Sequence, residues 1–174
     1  MNMRVNSIAF ETERLIVRAL TEQDQDNFFL LNGSEEVMRY IRPVKTKEES
    51  DEHLKQILEM GDPTPQNGRW AVEDKATGRF IGSFAIIPIP SEPEKTQLGY
   101  SFIPEYWGRG LATELAQAGL KYFLDNTSVP EIYAVSETAN IASRKVLQKT
   151  GFRFHSIKEE EGKELTIFIV KRNA

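Results

Sequence analysis

The run Trp107-Gly108-Arg109-Gly110-Leu111-Ala112-Thr113-Glu114 constrains this chain more than any other stretch. Two glycines flank one arginine just before a long helical pattern. Glycine admits backbone torsions that other residues avoid, and it leaves no side chain in the way of a ligand. The helix that follows opens with free N–H groups at the positive end of its dipole. Such a turn suits phosphate oxygens. It is not a Walker loop, because no Gly-Lys-Ser/Thr follows, and it is not the GxGxxG dinucleotide fingerprint.

Strands and helices alternate around this turn. Arg14-Leu15-Ile16-Val17-Arg18 reads as a strand, and Thr21-Glu22-Gln23-Asp24 as a helix start capped by the threonine. Thr46-Lys47-Glu48-Glu49 is a capping box; behind it Leu54, Ile57 and Leu58 share one helix face, and Gly61 closes the helix. Pro63 and Pro65 make 61–68 a loop. Strands are predicted over 69–73 and 79–87, joined by the turn Asp74-Lys75-Ala76-Thr77-Gly78. Pro88, Pro90 and Pro93 are expected to break the chain before a strand over 95–102, which Pro104 ends. After the glycine turn, Ala112, Leu115, Ala116, Gly119, Leu120 and Phe123 fall at helical spacing. A strand over 131–136, a helix over 141–149 ended by Gly151, and a last strand over 165–170 follow. Glu159-Glu160-Glu161 reads as a solvated turn, and Trp70, Tyr100 and Tyr133 as packing residues. With no linker or repeat across 174 residues, the expectation is one α/β domain over 1–174 with a mixed sheet.

Composition removes several kinds of chemistry. There is no cysteine, so disulfides, thiolate nucleophiles and cysteine metal sites are excluded. His53 and His155 are the only histidines and lie far apart in sequence, so no metal is expected. Lysine and arginine total 22 against 26 acidic residues, a net charge of −4 that disfavours nucleic acid as a partner. No apolar run approaches the roughly 20 residues that span a bilayer. Met1-Asn2-Met3-Arg4-Val5 lacks a signal-peptide apolar region, so a cytoplasmic location is expected.

Four stretches, in order, resemble the GNAT acetyltransferases, and specifically their ribosomal-protein N-terminal acetyltransferase (RimJ/RimL-type) branch. Glu11 to Arg18 resembles that family's opening strand, and Leu98-Gly99-Tyr100 its central strand. Trp107 to Glu114 resembles its pyrophosphate loop. Asn140-Ile141-Ala142-Ser143 with Lys149-Thr150-Gly151-Phe152 resembles its last signature. The resemblance covers nearly the whole chain and implies a mostly antiparallel sheet flanked by helices, with acetyl-CoA as co-substrate. Carried over by position, Gly108, Arg109, Gly110, Leu111, Ala112 and Thr113 would hold the CoA pyrophosphate through backbone N–H groups. The main chain at Phe102 and Ile103 would pair with the pantetheine arm like an added strand. Asn140 and Ser143 would lie near the thioester, where Ser143 protonates the departing thiolate. The acceptor amine would attack the thioester carbonyl directly.

Two positions depart from the pattern. The loop usually opens with glutamine or arginine; here Trp107 stands there, as is common in this branch. Many relatives carry a carboxylate just before the Leu-Gly-Tyr element, and here Gln97, which cannot act as a base, takes that place. Glu137 acting through a water is the fallback base. The acceptor expected is an amine, with a protein N-terminal α-amine favoured over a polyamine or small molecule, on a monomer or homodimer. A noncatalytic acyl-CoA-binding module is the alternative from another class, and a nucleotide or phosphate-sugar binder is the third.

Overall fold

The computed structural model describes residues 7–173, so the expectation for Met1–Val5 lies outside the described residues. Among these residues, eight strands form one sheet in the order β1-β2-β3-β4-β5-β6-β8-β7. They are β1 (Ile8–Glu11), β2 (Leu15–Ala19), β3 (Gly68–Asp74), β4 (Phe80–Ile89), β5 (Glu92–Phe102), β6 (Glu131–Glu137), β7 (Arg153–Glu160) and β8 (Lys163–Lys171). The helices are α1 (Gln25–Asn32), α2 (Glu35–Met38), α3 (Lys47–Glu59), α4 (Leu111–Asn126) and α5 (Ile141–Thr150). Neighbouring strands run antiparallel except β5 and β6, which are parallel. This is the mixed, mostly antiparallel α/β sheet that the sequence predicts.

Local chemistry explains most element ends. The Thr46 hydroxyl accepts from the Glu49 N–H at 3.1 Å, and the Thr46 N–H donates back to Glu49 at 2.8 Å, which closes the capping box of α3. Thr21 caps a short 3-10 turn at Glu22–Asp24 that leads into α1. Gly151, at φ +109, ends α5 in the left-handed region.

Three expectations need correction. The prolines do not break the chain before residue 95: β4 runs through Pro88 to Ile89, and β5 starts at Glu92. Strand N–H groups point to alternate edges. The Ile103 N–H donates to the Ile81 carbonyl, so odd-numbered β4 residues face β5 and Pro88 faces the β3 edge. There β3 has already ended, since Gly68 pairs with Ile86, and a missing N–H costs no ladder bond. Secondly, Glu159 and Glu160 belong to β7, and the turn falls on Glu161 and Gly162 at positive φ. Thirdly, β1, β7 and α2 were not predicted, being short or weakly patterned.

The two sheet faces carry different helices. Gly119 of α4 meets Phe84 of β4 so closely that an added Cβ would lie 2.4 Å from its Cζ. Phe84 packs in turn on Phe10 and Trp70 at 5.5 Å between ring centres. On the other face, Arg18 of β2 is bound bidentately by Asp24, at 2.8 and 2.9 Å, and by Glu73 at 2.7 Å. Ala71, opposite Arg18, and then Arg69, Ala85 and Gly99 share that second face by register and alternation.

Candidate active site

Gly108 and Gly110 adopt φ +74 and +77, torsions that side chains rarely take. Gly110 is the N-cap of α4 and offers no side chain to its N–H groups. The first α4 bond runs from the Glu114 N–H to the Gly110 carbonyl at 3.1 Å. The Leu111, Ala112 and Thr113 N–H groups have no acceptor among the described residues. The space above Gly108 is empty, and the nearest atom to a Gly110 Cβ would be Arg14 Nη2 at 3.8 Å. A cluster of open donors at a helix start fits a pyrophosphate.

The loop is held from outside. Glu114 accepts from Thr12 Oγ1 at 2.6 Å, from the Arg14 N–H at 3.0 Å and from Arg14 Nε at 2.8 Å. Burial pushes the Glu114 carboxyl up, but the Thr12 and Arg14 bonds outweigh it and keep its pKa below the ordinary value. Arg14 Nη1 also donates to the Arg109 carbonyl at 3.0 Å. The Arg109 guanidinium stacks over the Tyr106 ring at 4.7 Å. These anchors come from the segment between β1 and β2, and no spacing rule links them to the loop.

β5 leads straight to this loop. It shares a single ladder pair with β6, Gln97 with Tyr133, whereas β6 pairs with β8 along its whole length. The edge of β5 that follows Gln97 is therefore open. Because the Ile103 N–H is spent on Ile81, and its carbonyl accepts from Tyr106, Ile103 offers no free donor to a ligand. The free main-chain edge of β5 is at Tyr100 and Phe102, so a strand-like ligand would pair there and not at Ile103. The Phe102 carbonyl already accepts from Trp107 Nε1 at 2.8 Å, which leaves its N–H for the open edge.

α5 brings the other expected residues near. Asn140 caps α5 by accepting from the Ser143 N–H at 3.2 Å. Its oxygen is thereby committed to the helix. Tyr100 Oη is buried. Burial raises the Tyr100 pKa, and the Ser143 side chain is the one group that pulls it back. The structure thus brings Ser143 and Tyr100 together, a pairing with no signal in the sequence. Glu137, at the end of β6, is ion-paired with Lys163 of β8 at 3.5 Å, and its side chain is 15% exposed. No three His, Asp or Glu side chains among the described residues gather as a metal site. Among the described residues, no helix is long and apolar enough to cross a membrane.

Comparison with known proteins agrees with this geometry. The chain is 30% identical over 145 residues to the N-acetyltransferase YoaA of Bacillus subtilis, itself uncharacterized, covering 82% of this chain and 81% of that protein. The fold matches spermidine N-acetyltransferase from Vibrio cholerae, solved with CoA and spermine, at a TM-score of 0.78 and 21% identity over 92% of this chain and 96% of that one. It also matches RimL, the ribosomal L7/L12 α-N-protein acetyltransferase solved with CoA, at a TM-score of 0.77 and 14% identity, covering 95% and 98% of the two chains. Residues 14–153 match the acetyltransferase (GNAT) domain, and the chain belongs to that family of acetyl-CoA-dependent acetyltransferases.

Proposed function

We propose that this chain transfers acetyl from acetyl-CoA to an uncharged primary amine, with an α-amine as the preferred acceptor. The observation that carries this reading is the open edge of β5 running into an uncapped, unobstructed α4 N-terminus. The N–H groups of Leu111, Ala112 and Thr113 would take the pyrophosphate oxygens, with Gly108 and Gly110 clearing the approach and Arg109 lining it. The Tyr100 and Phe102 main chain would pair with the amide arm. Acetyl-CoA supplies an activated acyl group on a thiolate leaving group. Ser143, beside the buried Tyr100 hydroxyl, would give a proton to the departing sulfur. Gln97 has no basic atom, so the amine must arrive with its lone pair free. Glu137, held by Lys163, would receive the proton the amine releases, through water.

Thermal melts test the reading. CoA at about 100 times its Kd should add about 2.7 kcal/mol of stability, and unrelated nucleotides should not. Gly110→Val, which places a branched side chain at φ +77, should abolish the shift. Absence of a CoA-specific shift in the wild type would sink it. Gln97 supports one other reading, a noncatalytic acyl-CoA-binding module. A CoA shift without thiol release across a panel of amines would establish that reading instead.

A further inference from the structure

The sheet face opposite α4 is left open at its centre. Ala85 and Gly99 lie on central strands yet are only half-buried. A Cβ added to Gly99 would meet nothing within 4 Å. Register places Arg69, Ala85 and Gly99 in one row across β3, β4 and β5, with Gln97 on the same face. Strands sit about 4.8 Å apart, so Arg69 and Gly99 are about 10 Å apart along this trough. At the Arg69 end is a cleft of about 360 Å³, lined by His53, Gln56 and Ile57 of α3, by Arg69, and by Ile87 and Pro88 of β4.

Arg69 lies on this cleft with Arg42 close by, and Asp62 is the carboxylate on its rim. Burial lowers the Arg69 pKa to about 10, and the Arg42 charge adds to the fall. Among the described residues no carboxylate pulls the Arg69 pKa the other way. Arg42 is likewise depressed by burial, and its Nε is buried without a partner. His53 is lowered to about 4 by burial, then by Arg69, Arg42 and Lys45, and its Nδ1 is buried and unpartnered. Elsewhere the fold neutralises a buried arginine carefully, as Asp24 and Glu73 do for Arg18. Half-buried cations without counter-charge are costly unless an anion completes them.

We infer that the cleft formed by Arg69, His53 and the adjacent Arg42 binds an acidic group, a carboxylate or a phosphate, carried by the acceptor whose amine reaches the open β5 edge. This rests on the acetyl-transfer reading and narrows its substrate class. Guanidinium groups bind carboxylate and phosphate alike, through paired N–H donors. A trough about 10 Å long suits an amino-acid derivative or a short peptide. The same cations repel a polyamine.

Three acceptors with one α-amine separate the outcomes: glycyl-glutamine amide, glycyl-glutamate amide and glycyl-phosphoserine amide. In the wild type the acid-bearing acceptors should exceed the neutral one in kcat/KM by at least about tenfold. The larger of the two ratios tells carboxylate from phosphate. Arg69→Gln should bring that ratio close to one with the KM for acetyl-CoA held, while Arg69→Lys should keep part of it. Equal use of the three by the wild type, faster use of spermidine, or an undiminished ratio in Arg69→Gln overturns the inference. A second measurement needs no turnover. Acetate or inorganic phosphate titrated into the wild-type protein should shift the Arg69 Nε–H and His53 ring NMR signals saturably. A shift with no acetylation of any amine leaves the anion site standing and removes acetyl transfer. Acetylation of the neutral acceptor with no shift and no acid preference does the reverse.

Discussion

In the proposed reaction, Ser143 and Tyr100 are the pair nearest the leaving thiolate. The Tyr100 hydroxyl is buried, and the Ser143 side chain is the group that acts on it. Ser143→Ala should lower kcat about tenfold or more, with the KM for acetyl-CoA little changed, as expected for a group used in the transition state. An unchanged kcat would leave Ser143 as a first-turn residue of α5 and nothing more. His53 provides a test by pH. Its folded pKa of about 4 lies below the ordinary 6.5, so the unfolded chain binds the proton first on acidification. The stability from the neutral ring is full above pH 6.5, declines between about 6.5 and 4, and is gone below. Melting curves without multivalent anions should show this decline in the wild type and lose it in His53→Gln. Parallel curves for the two proteins would disprove it. His53 and Arg69 had no mark in the sequence, because they sit on α3 and β3 and meet only across the cleft.

At the scale of elements, α4 ties the glycine loop to the core. Its N-terminus is held by Thr12 and Arg14 through Glu114, and its middle lies against Phe84 through Gly119. Phe84 is fully buried, so an added methyl group would have to displace a packed ring. Gly119→Ala should therefore cost about 1–3 kcal/mol in denaturant unfolding, while CoA affinity per folded molecule stays the same. A neutral or stabilising change would show that the contact relaxes. The helical spacing of Ala112, Leu115, Ala116, Gly119, Leu120 and Phe123 made α4 legible from sequence, as the capping box did for α3. β7 was not legible: its exposed Phe154 and Ile157, on an edge strand, follow no clean alternation.

For the molecule as a whole, the proposed reaction with Gln97 in place of a carboxylate favours acceptors that arrive uncharged. An α-amine with a pKa near 7.8 is about 14% neutral at pH 7, and a lysine amine near 10.4 only about 0.04%. That difference is roughly 3.5 kcal/mol, which a site with Gln97 in place of a carboxylate must find elsewhere. A peptide with a free N-terminus should therefore exceed, in kcat/KM at pH 7, both the same peptide blocked there but carrying an internal lysine, and spermidine. Faster use of the blocked peptide would mean that a carboxylate other than Gln97's usual counterpart reaches the amine.

The sequence by itself determined what depends on neighbours along the chain: the glycines before α4, the caps of α3 and α5, the alternation that makes β3 and β4 strands, and the absence of thiol chemistry. The order of four short motifs was enough to point to the family. Tertiary structure decided what depends on registry between distant strands. It left β5 and β6 with a single ladder pair, and this opened an edge at Tyr100 and Phe102 rather than at Ile103. It brought Ser143 to Tyr100, tied Glu114 to Thr12 and Arg14, and set Arg69 and His53 on one cleft within reach of the Arg42 charge. Periodicity records which way a side chain points from its own element, but contact between residues on separate elements arises only once the sheet has chosen its order and register.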